Sequence, residues 1–413
     1  CQYKVMNKTN NFCNTPFIYI LGKDKKPALT FSSDADSVYA HYTDKNTTKI
    51  DIDLEDFTPI GLKGDFLYMA ETSGIGSHGL SVLNLKNKKI QSIIPDDCHS
   101  VLNAMNSLNN PIPYAAGMEC DGKKEIIYFD QNNRDAQILS QLAPSFPDKT
   151  ITLGNWTDSN DRALLTIEDS SVVQEVFLLD LKQGSLKPIG RTSNVPKDRL
   201  HKMVSKKFTT RDGESIYGYL TKPKGKVERL IVYIHGGPYG IRDFDSYDFS
   251  EQYLASKGAA VLKVNYRGSG GYGTNFMEDA YKEWGGRLLN DIADATQAVQ
   301  KELGIGREQT CAFGASYGGY AALAMAYKYS ELYECVAGGM GVYDMQILRD
   351  GTDDSIYTRQ DDYEEMAEKF WGDNKEVLID FSPVFNADKM ESRILMWHGL
   401  QDPISPIVHM DLM

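Results

Sequence analysis

Gly314-Ala-Ser-Tyr-Gly318 holds a serine between two glycines at G-x-S-x-G spacing. Such spacing allows a sharp turn from a strand into a helix, with the hydroxyl carried out of the sheet. The flanking residues suit that turn. The apolar run Thr310-Cys-Ala-Phe reads as the strand, and Tyr320-Ala-Ala-Leu-Ala-Met-Ala as the helix, with Gly319 giving further room for close approach. The chemistry this would support is attack by Ser316 on an acyl carbonyl, with the Tyr317 N–H beside the developing oxyanion. A glycine-rich turn with an incidental serine is the bland alternative, and the strand and helix on either side weigh against it.

A hydroxyl needs a base, and the base needs an orienting carboxylate. On this type of turn the partners follow in the order serine, acid, histidine. Ile394-Leu-Met-Trp-His-Gly-Leu-Gln-Asp402 supplies an apolar strand, a turn at Gly399 and then Asp402 as the acid, although an Asp-Pro pair can also simply open a turn. Past Asp402 the sequence offers only His409, expected on a helix too near the acid to arise from another strand. His398 lies in the strand–turn before the acid. His235 belongs to Tyr233-Ile-His235-Gly236-Gly237-Pro238, where glycines let a main-chain N–H approach a substrate carbonyl. The second oxyanion donor is therefore assigned to the Gly237 amide, with Gly236 and His235 shaping the loop. The catalytic histidine is expected in a C-terminal segment outside these residues, so that the 413-residue chain alone should be nearly inactive.

Other motifs carry less. Gly268-Ser-Gly270-Gly271-Tyr-Gly273 matches G-x-G-x-x-G after a strand, and Asp291 falls where a ribose ligand would. No convincing apolar helix opens at Asn275, however, and a nucleotide site would leave Ser316 unexplained, so a structural loop is expected. Glu364-Glu365, amid Asp361, Asp362 and Glu368, reads as a solvated acidic helix face. Phe370-Trp371-Gly372 reads as packing, and Met340 to Tyr343 as a wall of the side-chain pocket. No cofactor is implied, and the absence of a Cys/His cluster argues against structural zinc.

The elements that must position these residues fall into two halves. Up to about residue 190, short strands alternate with polar turns and helical spacing is hard to find. A strand–turn–strand pattern recurs at Ser81-Val-Leu-Asn-Leu-Lys-Asn-Lys-Lys-Ile and Val176-Phe-Leu-Leu-Asp-Leu-Lys-Gln-Gly-Ser-Leu, a separation of about two propeller blades. Residues 1–195 are read as part of a β-propeller. After a linker near 191–203 the pattern changes to a hairpin turning at Asp212-Gly213, and then to strands alternating with helices. The expected strands are 230–234, 259–264, 309–313, 334–337 and 394–397. Helices are expected at 249–256, at 288–303 and after Ser316. Residues 196–413 are thus an α/β domain with a mainly parallel, doubly wound sheet.

Composition sets outer limits. The length suggests two domains. A net charge of −13 disfavours a nucleic-acid partner, and no apolar run is long enough to span a membrane. The six cysteines Cys1, Cys13, Cys98, Cys120, Cys311 and Cys335 demand no disulfide framework. Asn7, Asn46 and Asn155 match the glycosylation pattern at the frequency chance allows. The sequence specifies neither compartment nor oligomeric state.

Taken together, His235-Gly-Gly-Pro, Asn265-Tyr-Arg-Gly-Ser-Gly-Gly-Tyr-Gly, Gly314-Ala-Ser-Tyr-Gly-Gly-Tyr, Ser382-Pro and His398-Gly-Leu-Gln-Asp resemble the prolyl oligopeptidase family of serine peptidases, most closely its acylaminoacyl-peptidase-like branch. The resemblance covers about residues 205–413. It implies an α/β hydrolase domain preceded by a propeller that restricts access to short peptides. It also implies Ser316 as nucleophile, Asp402 as acid and the Gly237 and Tyr317 amides as oxyanion donors, with elbow and loop support from His235, Gly236, Gly314, Gly318 and Gly319. Family members carry the histidine well past the acid, beyond one more strand, and their propeller exceeds this first half. A carboxylesterase of the same fold and a non-catalytic binding protein lacking the histidine are the rival readings.

Overall fold

The computed structural model describes residues 18–21, 27–34, 37–42, 47–50, 57–72, 77–94, 100–107, 113–120, 123–352, 355 and 363–413. Cys1, Cys13, Cys98, Asn7, Asn46, Asp361 and Asp362 lie outside the described residues. Two compact units are present. One holds the described residues up to Glu168 together with Gln174–Thr192 and Gly271–Gly273, and the other holds Asp169–Val173, Ser193–Gly270 and Thr274–Met413.

In the first unit, strands pair with their sequence neighbours in four successive sheets, spanning residues 18–50, 57–94, 100–128 and 150–191. Each is an up-and-down meander, and together they form a stretch of β-propeller. The two hairpins picked out by the repeat occupy equivalent places, as the outer strand pairs of the second and fourth sheets. One element departs from expectation: Arg134–Leu142 is a helix. Asn133 caps it by accepting from the Asp135 N–H at 2.8 Å, and Ala136 and Leu139, three residues apart, are buried. Its nine residues are shorter than the window over which helical periodicity stands out, which is why a β-rich context hid it.

The second unit is built on seven strands: β1 (Met203–Thr209), β2 (Ser215–Thr221), β3 (Arg229–Ile234), β4 (Ala259–Asn265), β5 (Thr310–Ala315), β6 (Cys335–Gly339) and β7 (Arg393–Trp397). Their order is β1-β2-β4-β3-β5-β6-β7, antiparallel at β1-β2-β4 and parallel from β4 to β7. Three of its helices are α1 (Phe249–Ser256), α3 (Arg287–Leu303) and α4 (Tyr317–Lys328); between the first two lies α2, the five-residue helix Thr274–Glu278 where no apolar helix was expected. Leu288, Ile292, Ala295 and Val299 give α3 one buried stripe at helical spacing, and α4 is buried from Tyr317 to Ala326. These two helices pack with Leu230, Val232, Ala312 and Val336 on one face of the sheet. On the other face α1 flanks a groove lined by Ile231, Phe313 and Ala337, and Leu395 on edge strand β7 is 63% exposed. Cys311 and Cys335, register partners on β5 and β6, form a disulfide that strand adjacency alone brings together.

Candidate active site

Ile234, Gly314, Gly338 and Met396 form one register row across β3, β5, β6 and β7. The chain therefore leaves these four of the parallel strands at the same edge, and the candidate residues lie at or just past these exits. Ser316 sits between the end of β5 and the first residue of α4 with φ 59° and ψ −127°. A side chain held in that region costs of order 1–3 kcal/mol. The strain is sustained by surrounding main chain: the Ser316 N–H donates to the Gly339 carbonyl at 2.9 Å, and the Met340 N–H to the Trp397 carbonyl at 2.8 Å.

Close approach explains the flanking glycines. A Cβ on Gly318 would lie 2.1 Å from the Ile234 carbonyl oxygen, and one on Gly314 would lie 2.5 Å from the Gly318 oxygen. Both obstacles are backbone, so neither can swing aside. Gly318→Ala should therefore cost about 1–3 kcal/mol through overpacking and displace the turn carrying Ser316. Urea denaturation monitored by circular dichroism, alongside reaction of Ser316 with a fluorophosphonate, checks both effects.

A main-chain donor and a close-packed glycine flank the serine. Tyr317 opens α4, so its N–H has no partner within the helix. On the other side, a Cβ built on Gly236 would lie 3.4 Å from Ser316 Cβ and 3.8 Å from Oγ, which brings the exit of β3 against the hydroxyl. Gly237 follows at φ +117°, a conformation that favours glycine, and is exposed.

Asp402 lies five residues past the end of β7 and is half-buried. One carboxylate oxygen accepts from the Ile404 and Ser405 N–H groups at 2.9 and 3.0 Å, which fixes the side chain and leaves its second oxygen for another donor. Each nearby histidine holds a hydrogen bond to another group through one ring nitrogen, and His398 Nδ1 is buried without a partner. His398 donates from Nε2 to the Ser405 carbonyl at 2.7 Å, and His409, on the short helix Val408–Leu412, accepts the Asp344 N–H at Nδ1.

His409 is 2% exposed, and burial, aided by His398, pulls its pKa down to about 4. Its folded-state pKa thus lies below the unfolded value near 6.5. The unfolded chain takes up the proton first, so stability should fall as pH drops from about 6.5 towards 4, by at most about 3 kcal/mol from this group. Urea denaturation at pH 7 and pH 4.5 should show a deficit for the parent chain that shrinks in His409→Gln.

Several features invisible as motifs support the site. Asp291 is spent on Arg267, accepting from its Nη2 at 2.6 Å, its Nε at 3.0 Å and its backbone N–H at 2.9 Å. The loop Gly268–Gly270 braces the β3 exit, with Gly240 N–H donating to Gly268 O at 2.8 Å and Gly270 N–H to Ile241 O at 3.1 Å. Ser269 and Tyr266 both bond the His235 ring. Only pairing of β3 with β4 reveals these contacts; the glycine spacing was their one sequence signal. Glu364 pairs with Arg349, and Glu368 with Lys282, on an exposed helix face. Phe370 stacks on Tyr239 at 4.7 Å, and Trp371 meets Trp284 edge-on. Of Met340 to Tyr343 only Met340 is half-buried; Tyr343 turns inward against Gly338 and Gly341.

Comparison with known proteins adds sequence and fold. A profile of the prolyl oligopeptidase family matches residues 245–411. Dipeptidyl aminopeptidase BIII of Pseudoxanthomonas mexicana is 31% identical over 211 residues, 48% of this chain and 30% of that protein. Dipeptidyl peptidase family member 6 of Caenorhabditis elegans is 30% identical over 288 residues, 68% of this chain and 35% of that protein. The chain thus spans about a third of the length of these curated relatives. The crystal structure of puromycin hydrolase superposes with TM-score 0.70 at 21% identity, covering 96% of this chain and 62% of that one. Residues 245–411, which hold the Ser316 elbow and the stretches from Asn265 to Asp402 and are preceded by His235-Gly-Gly-Pro, are thus the segment that matches the prolyl oligopeptidase family of peptidases.

Proposed function

We propose that the chain is part of a serine peptidase that hydrolyses short peptides through an acyl-enzyme on Ser316. Residues 196–413 would be the peptidase domain and 1–195 a propeller that restricts access to it. The observation that carries the reading is the strained Ser316 turn, with φ 59° at a strand–helix junction, the Tyr317 N–H opening the helix and Gly236 packed against the serine side chain.

In the proposed reaction Ser316 Oγ attacks the scissile carbonyl carbon as its proton passes to a histidine. The carbonyl oxygen gains the negative charge, which the Gly237 and Tyr317 N–H groups stabilise. Collapse breaks the C–N bond, and the amine leaves with the histidine's proton. Water then attacks the acyl group by the same route, releasing a carboxylate and restoring Ser316. Asp402 orients the histidine through its second oxygen. In the order serine, acid, histidine only His409 follows Asp402, and its Nδ1 accepts the Asp344 N–H, so the base is read as lying in polypeptide outside these 413 residues, which alone would be nearly inactive. No cofactor enters these steps. The test is to assay the complete protein on dipeptidyl and acylaminoacyl amides and on aryl esters. Amide hydrolysis abolished by Ser316→Ala supports the proposal. Ester hydrolysis alone would favour a carboxylesterase, and a complete reading frame without a further histidine would favour a non-catalytic protein.

A further inference from the structure

The His235 ring lies at the exit of β3, stacked on Tyr266 with ring centroids 4.3 Å apart. Ser269 and Tyr266 are both fully buried. Four polar contacts fix where the protons sit. His235 Nδ1 lies 2.8 Å from the Gly236 carbonyl oxygen and 3.0 Å from the Tyr266 hydroxyl. The Tyr266 hydroxyl also donates to the His235 carbonyl at 2.9 Å, and Nε2 lies 3.0 Å from Ser269 Oγ.

A carbonyl can only accept. The single Tyr266 hydroxyl proton therefore goes to the His235 carbonyl, and Nδ1 must carry the hydrogen facing the Gly236 oxygen. Burial pushes the ring's pKa down, so the ring is neutral and Nε2 is a bare acceptor. Ser269 must then donate to it. Every proton in the cluster has one place.

The consequence reaches the site through one peptide plane. The Gly236 carbonyl and the Gly237 N–H belong to the same planar unit and, in a trans peptide, point in opposite directions. Holding the carbonyl against His235 Nδ1 fixes the direction of the Gly237 N–H. We propose that Ser269 is a positioning residue which, by donating to His235 Nε2, keeps the ring protonated at Nδ1 and so aims the Gly237 N–H at the reacting carbonyl oxygen. This rests on the reading of that amide as an oxyanion donor.

Deleting an oxyanion donor outright costs about 10²–10³-fold in kcat. Releasing its aim should cost less, about 10-fold or more, with KM little changed because the contact tightens in the transition state. In the complete protein Ser269→Ala should show that loss of kcat. His235→Asn, whose amide can still donate to the Gly236 carbonyl, should retain more kcat than His235→Ala, and Ser269→Ala should then add nothing in the His235→Asn background. An unchanged kcat in Ser269→Ala, or an equal loss in both backgrounds, overturns the proposal.

A readout independent of turnover is nitrogen NMR of histidine-labelled chain, with His235 assigned from the His235→Asn spectrum. A protonated Nδ1 and an unprotonated, hydrogen-bonded Nε2 that shifts in Ser269→Ala support the latch. A ring protonated at Nε2 overturns it. If the ring is as proposed but the complete protein hydrolyses nothing, the peptidase reading fails and with it the catalytic role of Ser269, while the latch itself stands.

Discussion

Replacing Ser316 by Ala in the complete protein is expected to lower kcat on a short peptide amide by about 10⁴–10⁶-fold, with the protein still folded. The loss should be that large because attack, proton transfer and the acyl intermediate all pass through one oxygen. The residual rate should exceed that of water, since the Gly237 and Tyr317 amides would still stabilise an oxyanion formed by a bound water. Asp402→Asn should cost less than removing the nucleophile, about 10⁴-fold, and adding Ser316→Ala to it should not multiply the two losses. Single-turnover measurements on the three variants, with circular dichroism as the control for folding, check both statements. Near-additive losses would mean that Asp402 and Ser316 do not act as one unit.

The largest effect on stability is expected at Arg267. Its side chain is 4% exposed and lies between Asp291, which is fully buried, and Asp212, which is 45% exposed. Arg267→Met removes one member of a buried pair and leaves the Asp291 carboxylate without its cation, at a cost of about 3–5 kcal/mol. Burial already pushes the Asp291 pKa up, despite the opposing hydrogen bonds from Arg267. Without the guanidinium that shift should grow. A carboxyl with a folded pKa above its unfolded value favours the folded state below the unfolded pKa and loses that benefit as pH rises through the folded one. The deficit of Arg267→Met should therefore be greatest at neutral pH and shrink towards pH 4. A double replacement, Arg267→Met with Asp291→Leu, should recover most of the stability, because it buries no unpaired charge. Urea titrations of the parent and the two variants from pH 4 to pH 8 measure this. An equal deficit at every pH would locate the cost in lost packing instead.

How much of this was legible in the sequence follows the range of each interaction. The Ser316 turn is local: strand, glycines and helix are consecutive residues, so their spacing announces it. The exit loop at Gly236-Gly237 and the turn at Asp402 are likewise written into short segments next to apolar strands. The propeller stretch was legible through its period, since hairpins at 81–90 and 176–186 occupy equivalent positions two sheets apart. What escaped was set by strand order. His235 and Ser269 stand 34 residues apart and meet because β4 runs beside β3, which no periodicity states. Cys311 and Cys335 pair because β5 and β6 are neighbours in register. Asp291 sits at the spacing of a ribose ligand but is occupied by Arg267, and only packing distinguishes the two roles. The helix Arg134–Leu142 was missed for the opposite reason, being too short to show a period.

The most direct measurement is to treat the complete protein with a fluorophosphonate and locate the adduct by peptide mass spectrometry. The account predicts one adduct, on Ser316 Oγ, formed more slowly when a short peptide amide competes and absent in Ser316→Ala. Labelling that survives the replacement, or an unmodified Ser316 in protein that hydrolyses peptides, would contradict it.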